Sequence, residues 1–218
     1  MSYNYRTISN IPEERQRVIY PYCFWENAFT SDEIDNICKL MSSIPMDNAY
    51  IASADENTET PLIPVAAINE TVRRSTVSFH TPNNENQWIF NRLNNVIEYM
   101  NNKWYNFDIN GYNFFQYTEY HEEEKGCYGW HNDLFLGFQP KEAPTETRKL
   151  SLTILLTEPD EEFEGGELQF GHELRSESAT MKKGSIVLFP SWALHQVTPV
   201  TKGVRKSIVV WVLGPKWK

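Results

Sequence analysis

The chain opens its patterned part with an apolar and aromatic run, 18–29 (VIYPYCFWENAF), which predicts an early strand and a buried approach to a helix. The period then changes. Thr30 and Glu33 make a Thr-x-x-Glu capping box, and Ile34, Ile37, Cys38 and Met41 follow at helical spacing until Pro45 ends the segment. A second helix is predicted over 88–104, where Ile89, Leu93, Val96, Ile97, Met100 and Trp104 form one apolar stripe. Both helices read as scaffold. Between them, 46–72 is polar, carries Pro61 and Pro64 and shows no clear period. It reads as a long loop, either a surface insertion or a flap over a substrate groove. Residues 73–79 alternate as a strand. Arg73 or Arg74 is placed to touch a substrate there, but the residues alone favour a solvated strand end.

From about Gly111 the pattern becomes short strands separated by turns, which predicts a sandwich or barrel. Tyr112, Phe114, Gln116, Thr118 and Tyr120 share one face, since side chains two apart in a strand point the same way. A strand over 148–157 sets Leu150, Leu152, Ile154 and Leu156 against a packed core and Ser151, Thr153 and Leu155 toward a barrel mouth. The stretch 139–147, polar and holding Pro140 and Pro144, is a candidate lid. The fold class is therefore mainly β with flanking helices (α+β). A support region, 1–108, packs on a core, 109–218, as one compact unit.

Composition narrows the function. At 218 residues the chain can bury a sizeable core. A net charge of −9 argues against a nucleic-acid backbone as the main partner. It is compatible with a basic peptide, although solubility is the simpler reason for it. Cys23, Cys38 and Cys127 form no Cys-x-x-Cys pair, which fits buried thiols in a reducing compartment. The first residues lack an apolar signal core, and no run of about 18 apolar residues occurs. The expectation is a cytoplasmic protein without membrane contact, of open oligomeric state.

The candidate chemistry lies in Tyr128-Gly129-Trp130-His131-Asn132-Asp133 and, far downstream, in Trp192-Ala193-Leu194-His195. His131 and Asp133 are two apart and can close on one metal ion, with His195 as third ligand. Two imidazoles and a carboxylate on one face of an octahedron leave open positions, which suits a non-haem Fe(II) that activates oxygen. A His-x-Asp motif is weak by itself. It gains weight from what surrounds it: a tight turn feeding a strand at 164–168 (EGGEL), a turn and buried strand at 183–190 that deliver His195, and Arg205 ten residues after His195. His80, His121 and His172 lack a carboxylate partner at strand spacing or sit in a solvated charge run, and are not counted as ligands.

With Tyr120, YGWHND (128–133), RKLSLTILLTEP (148–159), EGGELQF (164–170), KGSIVLFPSWALHQVTPVTKGVR (183–205) and SIVVW (207–211) in this order, the chain resembles the Fe(II)- and 2-oxoglutarate-dependent oxygenases, in their prolyl-hydroxylase-like branch, over 111–214. The resemblance implies a double-stranded β-helix (a jelly roll of cupin type), Fe(II) on His131, Asp133 and His195, and 2-oxoglutarate and O2 as cosubstrates, with ascorbate as a supporting reductant. It implies that Arg205 holds the far carboxylate of 2-oxoglutarate, that Ser207 adds a hydroxyl, and that Lys206 points away. Ser151, Thr153 and Leu155 are implied to line the cosubstrate pocket, Leu155 standing where some relatives carry Tyr. Trp211 is implied as a pocket wall, and Tyr120 and Tyr128 as borders of the iron pocket. The implied reaction is hydroxylation of a prolyl residue in a peptide or protein, with release of succinate and CO2. The alternatives are hydroxylation of another side chain or small metabolite, and a catalytically silent metal-binding jelly roll.

Overall fold

A computed structural model describes residues 20–49, 51–54, 64–67, 69, 71–134, 145–172 and 175–217. The first half supplies β1 (Cys23–Trp25), α1 (Ser31–Met41), β2 (Asp47–Asn48), β3 (Ile51–Ala54), β4 (Pro64–Ala67), β5 (Arg73–Arg74), β6 (Thr76–His80) and α2 (Gln87–Met100). The second half supplies β7 (Phe115–His121), β8 (Cys127–His131), β9 (Glu146–Leu155), β10 (Phe163–Gly165), β11 (Leu168–His172), β12 (Arg175–Ser178), β13 (Ile186–Pro190), β14 (His195–Val197) and β15 (Val200–Pro215).

Helix α1 starts where its cap dictates. The Thr30 hydroxyl accepts from Glu33 N at 3.2 Å, and the Glu33 carboxylate accepts from Thr30 N at 2.8 Å, satisfying two of the free amides at the helix start. Its buried face is Ile34, Ile37 and Met41. Helix α2 buries Ile89, Phe90, Leu93, Val96, Ile97 and Met100. The predicted extension to 104 is not regular helix: a π-helical turn, Asn101–Tyr105, absorbs an extra residue. It seats Tyr105, whose hydroxyl donates to Leu188 O at 3.1 Å.

The larger sheet runs β1-β13-β9-β15-β7-β6-β2, with β10 on β15; the smaller runs β12-β11-β14-β8-β5. Every pairing is antiparallel. The chain passes between the two sheets repeatedly. At Ser75 the chain leaves β5, paired with β8, and enters β6, paired with β7. Between β14 and β15 it passes again from the smaller sheet to the larger. This is a jelly roll, with strands from the first 108 residues in both sheets.

The period of two divides the core. Leu150, Leu152, Ile154, Ile208, Val210 and Val212 face the helices and are fully buried. The alternate residues face the interior between the sheets, where Tyr120, Leu155, Phe163, Leu168, Phe170, Val187, Phe189 and Val200 pack. Leu152 lies at the centre of the helix–sheet layer with no solvent exposure. Leu152→Ala is expected to lower unfolding free energy by about 2–5 kcal/mol in urea denaturation, with an unchanged slope, because the packed layer collapses little around a hole.

Two expectations need correction. The 46–72 stretch is not one structureless loop: β2 pairs β6, and β3 pairs β4 in a hairpin. Propensity missed these strands because they are short. The strand expected from residue 148 starts at Glu146, since β15 extends to Pro215 and offers Glu146 a partner. The rest of the candidate lid, 139–144, lies outside the described residues, as do 55–63. No described helix is long and apolar enough to cross a membrane, and the three cysteines are free thiols.

Candidate metal and cosubstrate site

His131 closes β8 and His195 opens β14, directly opposite each other in the ladder. Asp133 lies just past the end of β8, pinned by its own N–H to Ser191 O at 2.8 Å. The ligand-bearing atoms of His131, Asp133 and His195 all fall within 4.8 Å of one another. Each imidazole is oriented by a main-chain carbonyl: Nδ1 of His131 on Gly129 O and Nδ1 of His195 on Ala193 O, both at 2.8 Å. With the proton on Nδ1, each Nε2 keeps its lone pair for a metal. These Nε2 atoms stand 3.8 and 3.7 Å from the two Asp133 carboxylate oxygens, room for one ion between them.

The electrostatics agree with that tautomer. Burial, followed by the neighbouring His195, pushes His131 down to about 3, so it is neutral at neutral pH. Burial pushes Asp133 up, but His195, His131 and a Ser151 hydrogen bond outweigh it, and its carboxyl is held below its ordinary range. The rings are fixed by stacking. Tyr128 lies on His131 at 3.5 Å and 14°, and Phe189 meets His195 edge-on at 4.7 Å. The donor set of two neutral imidazoles and one carboxylate fits Fe(II) with positions left open.

A cavity extends inward from this centre, lined by residues that include Gln116, Tyr120, Thr153, Arg205, Ser207 and Trp211. Arg205 is 2 % exposed. Its Nη1 donates to Ser207 Oγ at 3.1 Å, and its guanidinium lies 5.5 Å from the Tyr120 ring centre. No acidic side chain pairs with it among the described residues. An unpaired buried guanidinium is costly, so it marks a place where a ligand carboxylate belongs. Lys206 points to the opposite face, with Nζ 3.4 Å from Glu119.

Two residues implied as cavity lining are placed elsewhere. Ser151 is fully buried beside Asp133, with its Oγ 3.0 Å from Ser191 Oγ. Leu155 lines a separate cavity with Pro159, Phe163, Gly166 and Met181, and Arg205 borders both spaces. Of the three alternating residues of β9 only Thr153 reaches the cosubstrate cavity.

Arg73 is the main site residue that sequence reasoning set aside. It is 7 % exposed, not a solvated strand end. The register of β5 on β8 sets it opposite Tyr128, and its guanidinium lies 4.6 Å over that ring while Nε donates to Ser75 Oγ at 2.9 Å. The sequence held only a partial signal: Arg73, Ser75 and the apolar Val77 alternate along the chain, but which strand lies beside Arg73 is set by the tertiary pairing. Arg148 was passed over too; its guanidinium lies 4.2 Å over Trp211 and reaches toward Asp133 O at 3.4 Å. Gly166, read only as a turn residue, carries the stem of Arg205. It sits at φ +58°, and a Cβ there would come 2.9 Å from Arg205 Cδ.

Residues 115–213 match the family described as the 2OG-Fe(II) oxygenase superfamily. A PKHD-type hydroxylase of Acidovorax ebreus is 40% identical over 87 residues, which is 40% of this chain and 38% of that protein. The chain thus spans about two fifths of the length of such a relative. Among solved structures, a prolyl hydroxylase of Trichoplax adhaerens, in complex with a hypoxia inducible factor oxygen degradation domain peptide fragment, superposes with TM-score 0.65 at 17% identity, over 89% of this chain and 84% of that one. A viral collagen prolyl hydroxylase of Paramecium Bursaria Chlorella virus-1, as its 2OG complex, gives TM-score 0.61 at 18% identity, over 89% and 97%. These two share the fold. The triad and the buried arginine sit on that jelly roll within the stretch, 115–213, that is similar to the 2OG-Fe(II) oxygenase superfamily.

Proposed function

We propose that this chain is an Fe(II)- and 2-oxoglutarate-dependent oxygenase that hydroxylates a C–H bond of a prolyl residue in a peptide or protein, releasing succinate and CO2. The observation that carries the reading is one cavity with a neutral-imidazole and carboxylate triad at its mouth and an acid-free buried arginine among its lining residues. His131, Asp133 and His195 would hold Fe(II), which with 2-oxoglutarate and O2 supplies the oxidising chemistry. Arg205 receives the far carboxylate of 2-oxoglutarate through a planar fork, and Ser207 holds that fork in place. Tyr120, Thr153 and Trp211 wall the cosubstrate, while Tyr128 and Phe189 keep the ligand rings from turning. These walls exclude water from the reacting centre.

The prolyl substrate is supported by the prolyl hydroxylases that share this fold. An extended peptide suits an open jelly-roll mouth, and proline's fixed φ presents a rigid ring edge. Ascorbate as a reductant, a cytoplasmic location and the division at residue 108 belong to the same proposal. The test is direct. Purified protein with Fe(II) and 2-oxoglutarate is given proline-containing peptides, with succinate followed by NMR and peptide mass by mass spectrometry. The expected result is succinate formation stimulated by peptide, with a gain of one oxygen on it. Stimulation by a free metabolite alone overturns the peptide substrate; absence of any succinate leaves the silent metal-binding module.

A further inference from the structure

The mouth of the cavity carries more positive charge than the proposed reaction uses. A divalent metal and Arg205 are together balanced by Asp133 and the two carboxylates of 2-oxoglutarate. Arg73 and Arg148 are then left over. Neither has an acidic side chain within ion-pair distance among the described residues. Asp133, the nearest carboxylate that acts on Arg148, is committed to the metal.

Both guanidiniums are held on aromatic faces, Arg73 over Tyr128 and Arg148 over Trp211. Stacking of this kind orients a guanidinium and leaves its edge donors free for a planar acceptor. One Arg73 nitrogen is used by Ser75, and Arg148 makes only a long contact to Asp133 O. A third donor in the same wall, Trp211 Nε1, is buried with no acceptor. The two rings that carry the arginines both line the cavity beside the metal ligands. Arg73 lines that cavity too, and Arg148 reaches it over Trp211. A neutral peptide would desolvate this pair without neutralising it, at a cost that an anionic group would avoid.

Resting on the proposed oxygenase reading, the geometry points to a substrate that presents a carboxylate to Arg73 and Arg148, within about one residue of the C–H bond that reacts. The carboxylate belongs either to an acidic side chain beside the target proline or to the free C-terminus of a chain that ends in proline. This makes Arg73 and Arg148 specificity-determining residues.

The experiment measures binding to protein loaded with Zn(II) and 2-oxoglutarate, which holds the site together without turnover. The probes are four peptides of equal length with one proline: blocked at both ends with Asp, Asn or Lys after the proline, and a fourth ending in a free C-terminal proline. Intrinsic tryptophan fluorescence reports the dissociation constants. The Asp peptide or the free-carboxylate peptide is expected to bind about tenfold or more tighter than the Asn peptide, with the Lys peptide weakest, and the gap is expected to narrow at high salt. Which of the two binds tighter identifies the source of the carboxylate. Arg73→Glu is expected to invert the Asp-over-Lys order, and Arg148→Gln to reduce it, so that one misfolded variant does not decide the matter. Equal affinity for all four peptides in the wild type, or an unchanged order in folded Arg73→Glu, overturns the inference. Hydroxylation of the Asn peptide by the Fe(II) enzyme at undiminished efficiency also overturns it, yet leaves the oxygenase reading intact. Binding of none of the four overturns both the inference and the peptide substrate.

Discussion

Replacing Asp133 with alanine is expected to abolish 2-oxoglutarate turnover while the fold survives. Second-sphere partners of metal ligands cost about 10–100-fold when lost, so removal of a ligand itself is expected to cost more than about 100-fold in Fe(II) affinity and activity. His131→Ala and His195→Ala should behave alike. Stability should move differently. In the metal-free protein Asp133 is a buried carboxylate flanked by His131 and His195 and bonded by Ser151, and its carboxyl is held below the ordinary range. A carboxylate favoured in this way contributes stability at neutral pH, so the apoprotein melting temperature should fall modestly while the fold is kept. The ligands sit at strand ends, outside the helix–sheet layer that carries most of the packing. Isothermal titration with Fe(II) under anaerobic conditions and calorimetry of the apoprotein read the two halves of the prediction. Retained turnover in Asp133→Ala would remove Asp133 from the metal site.

Arg205→Ala is expected to raise the 2-oxoglutarate requirement by roughly 100-fold to several thousand-fold, with Fe(II) affinity little changed. The ligand's far carboxylate would otherwise enter a buried space with no cation, and an uncompensated buried charge costs about 3–5 kcal/mol. Arg205→Lys should recover part of the loss, because the charge remains but the fork does not. The stem passes close over Gly166, which fixes its course on that side. Apparent KM for 2-oxoglutarate across the three proteins checks this, with Fe(II) titration as the control. An unchanged KM in Arg205→Ala would place the carboxylate site elsewhere.

Much of this architecture was legible in the residues. Thr30 and Glu33 cap a helix by local hydrogen bonds that need no tertiary partner. Alternation along β9 and β15 assigns each side chain to the helix layer or the interior, because a strand has only two faces. The spacing of His131 and Asp133 puts both ligands on one side of an extended chain. What the spacing left open was distance. His195 meets His131 only because β14 and β8 pair in that register, a contact between segments more than sixty residues apart. Arg73 and Arg148 depended on the same kind of information. Whether a strand arginine is solvated or buried depends on which strand lies beside it, and here the switch at Ser75 carries Arg73 into the smaller sheet, over Tyr128. The position of Leu155 behind Arg205 was equally hidden, since alternation names a face but not which cavity that face meets. Local chemistry thus determined most of the elements, their buried faces and the identity of the candidate metal-ligand residues. The pairing of distant strands decided which of the inward-facing residues share one cavity, because register is a property of two segments and is written in neither alone.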